Sequence, residues 1–182
     1  VALSRLVYGR YVLLSLLDEA DYGSLLHISI ENDIRHSKAA LIKLALLDAP
    51  NISAVDIIHQ LEAGDTASIS NAVELLDNVC SPQERALIIP LVEVKQVSDL
   101  VAIGRTHFDD LPHTVPDALR LDLQGKDAWH AAIALDTLLR NPDEREPISE
   151  DDVPDWTITQ ELWQHYQKIL QGDCTMLSQL EK

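Results

Sequence analysis

The chain has 182 residues, a length that suits one ordinary domain with a sizeable core. Hydrophobic residues make up 46% of the chain and aromatic residues only 4%, which favours packed helices over a sandwich of short strands. The formal net charge of −16 would repel a phosphate backbone, so we expect no nucleic-acid partner.

Membrane insertion and secretion are not expected either. The best candidate, YVLLSLL at 11–17, is far shorter than the roughly 18 residues that a membrane-spanning helix needs. The N-terminus has no secretory signal pattern, and Cys80 and Cys174 give no disulfide framework. These features predict a cytoplasmic location. Because the chain starts at Val1 and its single methionine is Met176, we expect a piece of a longer protein.

Hydrophobic periodicity predicts a succession of helices and hardly any strand. In chain order, the predicted helices span residues 3–18, 23–48, 53–63, 66–78, 81–93, 97–107, 115–124, 127–140, 157–171 and 173–181.

Several of these helices have recognisable starts. The sequence Ser81-Pro82-Gln83-Glu84 predicts a capping box, in which Ser81 and Glu84 each bond the other's backbone N–H. Thr114 and Asp127 are predicted N-caps of the seventh and eighth helices.

Predicted helix ends are marked by three glycines. Gly64, Gly125 and Gly172 follow their helices at positions where a left-handed residue is expected. Pro90 lies inside the fifth helix and is predicted to bend that helix without ending it.

The helices also show a repeat. Ile69, Ala72, Val73 and Leu76 form one apolar stripe, and the same pattern returns in the stretch that begins at Asp127, two units of roughly 31 residues later. Such repeats bury their apolar faces against one another, so we predict an all-α solenoid of antiparallel helical hairpins with a continuous core. A globular helical bundle satisfies the same periodicity and is the alternative.

The predicted organisation has three parts. Residues 1–140 form the helical repeats, and residues 157–182 form C-terminal capping helices of the same domain. Between them, residues 141–156 hold three prolines and seven acidic residues without apolar periodicity, and are predicted to be an exposed loop.

Candidate chemistry is sparse. The best cluster is His107, Asp109, Asp110 and His113, whose side chains suit a divalent ion or acid and base chemistry, although such residues are common wherever a helix meets a loop. Cys80 precedes a helix N-terminus, which can lower the pKa of a thiol, but a structural cysteine is the preferred interpretation.

Other polar and aromatic residues have ordinary explanations. His27, Glu31 and His36 are interpreted as the polar surface of one helix. Tryptophan at the end of a repeat array more often closes the core than marks a recognition patch. This interpretation applies to Trp129, Trp156 and Trp163.

Three stretches carry a resemblance to a known family. NAVELLDNV at 71–79 with the following capped helix ending IIPLVE, KDAWHAAIAL at 126–135, and MLSQLEK at 176–182 resemble the HEAT-like repeat region of bacterial multidomain proteins. In those proteins, an ATP/ADP-translocase-like or major-facilitator-like membrane part precedes the repeats and a cyclic-nucleotide-binding domain follows them. Thr66 and Ser70 stand where HEAT repeats often have Pro and Arg, which puts the regularity of a superhelix in doubt.

The resemblance implies a non-catalytic protein-interaction or coupling module that links a transporter part to a nucleotide-sensing domain. Its partner is then a protein or the neighbouring domains of a longer chain, and no catalytic residue, cofactor or metal is expected. Gln83, Arg85 and Glu93 are the predicted partner-binding residues, on the second helix of a hairpin. Two alternatives stay open, a lyase-like or other enzymatic HEAT-like protein and a stand-alone scaffold.

Overall fold

The computed structural model describes residues 1–18, 21, 23–49, 51–125, 127–140 and 148–170. These residues contain nine α-helices and no strand, so the predicted all-α class is confirmed. The helices are α1 Ala2–Leu16, α2 Leu25–Ala45, α3 Ala54–Ala63, α4 Thr66–Val79, α5 Pro82–Glu93, α6 Val97–His107, α7 Val115–Leu123, α8 Ala128–Arg140 and α9 Thr157–Leu170.

The ends of these helices lie within about three residues of the predicted ends. The largest difference is in α2, which ends at Ala45 because residues 46–48 form a turn. The predicted helix at 173–181 lies outside the described residues. Across the described ranges, none of the helices combines the length and the apolar character needed to cross a membrane.

Side chains accept hydrogen bonds from the first turns of several helices. Ser81 Oγ accepts the N–H of Glu84 at 3.4 Å, and the Glu84 carboxylate accepts the N–H of Ser81 at 2.8 Å, so a capping box starts α5. Thr114 accepts the N–H of Asp117 at the start of α7. Asp127 Oδ1 accepts two N–H groups in the first turn of α8, which lowers the pKa of its carboxyl group.

The prediction of a left-handed conformation is wrong for one of the three glycines. Gly64 has φ +73° and ends α3 as expected, but Gly125 does not have a positive φ, and α7 ends instead at Gln124 in a right-handed conformation. A Cβ at Gly125 would lie 3.0 Å from the Asp122 carbonyl oxygen, so a close approach explains this glycine. Gly172 lies outside the described residues.

The chain divides into two compact units, Val1–His113 and Thr114–Lys182. In the first unit, α2 packs against α3, α3 against α4, α4 against α5, and α5 back against α2, so these four helices form a closed set. The helices α1, α2, α5 and α6 form a second closed set in the same way. The two sets share α2 and α5. The first and last helices of this unit therefore pack directly against each other.

Each set in the first unit has its own buried centre. The centre of the α2–α5 set consists of Ile42, Leu46, Ile57, Ala72, Leu76, Cys80 and Ile88, each no more than 5% exposed. In the other set, the fully buried Tyr8 of α1 donates its hydroxyl to the Leu87 carbonyl of α5 at 3.0 Å. The ring of Tyr8 also lies against Gly104 of α6.

The second unit is built on α8, which packs against both α7 and α9. Five consecutive residues of α8, at 131–135, are buried, so this helix is covered on more than one face. Thr159 of α9 is fully buried and donates to the Pro154 carbonyl at 2.6 Å.

The acidic segment 141–156 is partly ordered. Residues 141–147 lie outside the described part of the chain. Glu150–Asp152 form a short 3₁₀ turn, in which the Asp152 carboxylate accepts the N–H of Ser149 at 2.9 Å. Val153 is buried, so the second half of the segment is not exposed along its whole length, unlike the loop that the composition predicts.

Candidate functional site

The corner between α4 and α5 is held by its own polar groups. Arg85 Nε lies 3.1 Å from the Cys80 carbonyl oxygen and 3.2 Å from an Asp77 carboxylate oxygen. The Cys80 thiol is free and buried, and burial raises its pKa. Because a thiol must lose its proton to act as a nucleophile or ligand, this environment favours the structural interpretation of Cys80.

In the predicted cluster of His107, Asp109, Asp110 and His113, two residues contact different arginines. Arg5 of α1 donates to Asp110 at 2.9 Å, and this bond lowers the pKa of the Asp110 carboxyl group. Arg105 Nη1 lies 3.0 Å from Nδ1 of His113. His107 and Asp109 are exposed, and among the described residues no group of three or more acidic, histidine or cysteine side chains is arranged to hold a metal ion.

The three predicted partner-binding residues lie on α5 and are exposed. Gln83 and Arg85 are near the start of α5 and Glu93 is its last residue. Because the Arg85 guanidinium already bonds Cys80 and Asp77, a partner would compete with the corner for it. A role of these residues in partner binding stays a prediction.

The remaining candidates separate into surface and core. His27 Nδ1 lies 3.8 Å from Glu31 on the same face of α2, which agrees with a polar helix surface. Trp163 is buried, with its ring centroid 6.2 Å from that of Tyr166. Trp129 and Trp156 are 55% and 39% exposed, so closing a core does not explain these two rings.

A groove of about 230 Å³ between α2 and α3 is a feature that the sequence reasoning missed. It is lined by Ile34, Arg35, Lys38, Ala39, Ile42, Ile58, Leu61 and Glu62. At 1.5 Å per residue, the 21-residue α2 is roughly 32 Å long and the 10-residue α3 only roughly 15 Å. The shorter helix therefore leaves part of one face of α2 uncovered.

Lys38 is the chemically distinctive residue of this groove. Its side chain is half-buried, and burial is the cause of the lowered pKa of its ammonium group. No hydrogen bond or ion pair of Lys38 occurs within the part of the chain that the structure describes. The lysine also borders a small void of about 10 Å³ towards α5, next to Ile88 and Leu91.

The arrangement offers an apolar floor beside one lysine that has no ion pair with any described residue. Ile58 and Leu61 supply apolar surface from α3, while Arg35 and Glu62 supply the other polar groups of the lining. Such a site can bind an apolar group that carries a carboxylate, because the carboxylate would replace the hydration that Lys38 has lost.

One signal for this site was present in the sequence. Ile34, Lys38 and Ile42 are four residues apart, which places a lysine inside an apolar stripe of α2. The stripe does not say which helix lies beside it, so the groove itself depends on the packing of α3.

Comparison of the chain with models of protein families, with curated proteins and with solved structures gave no match.

Proposed function

We propose that the chain is a non-catalytic protein-interaction module that binds its partner in the α2–α3 groove. The observation that carries the proposal is Lys38, which makes no ion pair with any described residue and lines a groove whose other charged residues are Arg35 and Glu62. An unpaired, partly desolvated charge destabilises the free protein, and a partner that supplies the missing charge gains that free energy on binding.

The occupant that fits is an amphipathic helical segment of a partner protein. Its apolar side chains would contact Ile58 and Leu61, and one carboxylate would reach Lys38. The rest of the segment is expected to be basic, because the chain as a whole has a formal net charge of −16 and attracts cationic partners. The proposed partner is therefore basic overall, with a single acidic residue within its apolar face.

The coupling role is the longer-range part of the proposal. The HEAT-like resemblance at 71–79 and 126–135 supports a location between a membrane transporter part and a cyclic-nucleotide-binding domain, on the cytoplasmic side of a membrane. The coupling role fails if the full-length protein has neither membrane segments before this region nor a nucleotide-binding domain after it. A stand-alone scaffold is then the better description.

For the first unit, we infer the helical bundle that the sequence left open as an alternative. A row of stacked hairpins keeps its first and last helices apart, whereas α1 and α6 contact each other here. The contacts of α2 with both α3 and α5 also support closed sets of helices. For the chain as a whole, the HEAT-like solenoid stays a prediction.

The proposal is tested with a synthetic helical peptide that presents leucines at i, i+3, i+4 and i+7, one glutamate among them, and lysines elsewhere. We expect it to bind the chain, as measured by calorimetry, and to shift the amide resonances of α2 and α3. Replacing the peptide glutamate with glutamine should weaken binding roughly tenfold, since a charged hydrogen bond is worth about 1.5 kcal/mol or more.

A double-mutant cycle identifies the residue responsible. Lys38→Met should remove the difference between the glutamate and glutamine peptides, and Lys43→Met, at an exposed position on the same helix, should preserve it. Equal affinity of the wild-type chain for the two peptides, or resonance shifts confined to other helices, would contradict the proposed site.

A further inference from the structure

We propose that Lys38 is an acylation site, at which an acyl thioester seated in the α2–α3 groove transfers its acyl group to the side-chain amine. The chemistry depends only on the groove and its lysine. Its regulatory consequence, described below, rests on the proposed function.

The geometry places the side chain of Lys38 beside an apolar surface. Lys38 makes no hydrogen bond with any described residue, yet its Nζ is not fully buried. The amine therefore keeps contact with solvent. Ile34, Ile58 and Leu61 line the same groove and can contact the hydrocarbon part of an acyl group. The volume of about 230 Å³ suffices for a short acyl chain, since a cavity of about 150 Å³ in a protein core can bind benzene.

Burial also prepares the amine for reaction. An ammonium group has no lone pair, and the nucleophile is the neutral amine, as it is for the desolvated lysines of some enzymes. The pKa of Lys38 is lowered by burial, and each unit of lowering raises the neutral fraction about tenfold at neutral pH. No carboxylate holds the charged form by an ion pair in the described structure.

The reaction balances without an oxidant or reductant. The neutral nitrogen attacks the thioester carbonyl carbon, the C–N bond forms and the C–S bond breaks. The thiolate leaves with the bonding electron pair and takes up the proton that the nitrogen loses. The products are an amide on Lys38 and a free thiol.

Acylation changes what the groove can bind. The amide carries no charge, and its hydrocarbon chain occupies the space between α2 and α3. If the proposed partner binds there through a carboxylate, acylated Lys38 no longer attracts it. Acyl thioesters would then act as a negative regulator of partner binding.

The test measures acylation of the whole chain by small acyl thioesters of N-acetylcysteamine, without any peptide partner. Acetyl and hexanoyl thioesters are compared, and initial rates at individual lysines are measured after cleavage at glutamate by tandem mass spectrometry, in which fragmentation separates the two lysines of the peptide 32–62. Lys43 serves as the internal reference, because it is an exposed lysine on the same helix as Lys38.

We expect Lys38 to react at least about threefold faster than Lys43 with the hexanoyl thioester. The hexanoyl-to-acetyl rate ratio should also be at least about threefold higher at Lys38, since the extra CH₂ groups of the hexanoyl chain would be buried against the groove. A rate at Lys38 no higher than at Lys43, or the same chain-length ratio at both lysines, would overturn the proposal.

A matched pair of variants separates the groove from the lysine alone. Ala39→Gln places a longer polar side chain in the groove and should lower the chain-length ratio at Lys38 to that at Lys43. Ala102→Gln, at an exposed position of α6, should leave the ratio unchanged. An unchanged ratio in Ala39→Gln overturns the groove as the acyl-binding surface, and circular dichroism verifies that both variants are folded.

Discussion

The Tyr8 hydroxyl of α1 donates a hydrogen bond of 3.0 Å to the Leu87 carbonyl oxygen of α5. Pro90 follows Leu87 by three residues inside α5, and as a proline it has no N–H to donate to the helix. In an α-helix an N–H at position 90 would bond the carbonyl of Ala86, so Tyr8 joins α1 to α5 one residue after the carbonyl that Pro90 cannot bond. The bond is buried and joins two helices of the set formed by α1, α2, α5 and α6.

Tyr8→Phe is expected to lower the free energy of unfolding by about 1 kcal/mol at neutral pH, because one buried hydrogen bond is lost. Denaturation with urea measures the change. The Leu87 carbonyl lies inside α5, so the cost should stay well below that of an unpaired buried group.

Tyr8 also predicts a loss of stability at alkaline pH. Burial raises the pKa of its hydroxyl from the ordinary 10.0 to about 12. Between these values the unfolded chain releases the proton and the folded chain retains it, so stability is full below pH 10 and falls as the pH rises towards 12. The loss from this group is about 2–3 kcal/mol.

Unfolding measurements from neutral to alkaline pH test this dependence. The slope should be smaller in Tyr8→Phe, although not zero, since burial also raises the pKa of Tyr11. Equal alkaline slopes in the two proteins would show that Tyr8 does not titrate as described.

Gly104→Ala should destabilise the first unit by about 2 kcal/mol. A Cβ at Gly104 would lie 2.8 Å from Cδ1 and 3.0 Å from Cβ of Tyr8. The Tyr8 Cβ is attached directly to the backbone of α1, so it cannot move away easily. The melting temperature of the variant reports the cost.

Gly9→Ala is the matched control for this prediction. Gly9 is also a helical glycine, but its nearest contact would be Leu111 Cδ2 at an ordinary 3.9 Å. We expect Gly9→Ala to stabilise the protein by about 0.5–1 kcal/mol, because alanine favours helix formation. If both variants changed stability alike, the close approach of α6 to Tyr8 would be wrong.

Local features of this fold were predictable from the sequence. The box formed by Ser81 and Glu84 needs residues only three apart, and the stripe of Ala72 and Leu76 depends on helical periodicity alone. Such signals fix where helices begin and which face is buried. They do not say which other helix covers that face.

Distant contacts were not predictable for that reason. Arg5 bonds Asp110 across more than a hundred residues, and no periodicity connects the two. This contact removes Asp110 from the predicted cluster with His107 and His113. In the candidate site, the place of Lys38 in an apolar stripe was visible in the sequence, but its burial depends on α3 and α5.

Ser81→Ala is expected to cost about 1 kcal/mol of stability, since Ser81 caps α5. Ser70→Ala, at an exposed position within α4, should change stability by less than about 0.5 kcal/mol. Urea denaturation of both variants measures the difference, and equal stabilities would argue against the box as a stabilising element.

The same box predicts an acid-dependent contribution. The hydrogen bond from the Ser81 hydroxyl, followed by that from its backbone N–H, lowers the pKa of Glu84 below its ordinary 4.5. A carboxyl group with a lowered folded pKa stabilises the fold above its ordinary pKa, and this contribution is lost as the pH falls through the folded value. The decline of stability in acid should therefore be less steep in Ser81→Ala than in the wild-type chain.

Lys38→Met should raise the free energy of unfolding by about 1 kcal/mol at neutral pH. The substitution removes a partly desolvated charge and keeps an unbranched side chain of similar length. Because the folded pKa of Lys38 is lowered, the stability of the wild-type chain should rise between that pKa and the ordinary 10.5.

Denaturation across this pH range tests the prediction, and the rise due to Lys38 should be missing in Lys38→Met. Lys43→Met, at an exposed position on α2, should leave both the stability and its pH dependence unchanged. Destabilisation by Lys38→Met would mean that the amine is satisfied in the free protein. A partner carboxylate would then gain nothing by pairing with it, and the α2–α3 groove would lose its basis as a binding site.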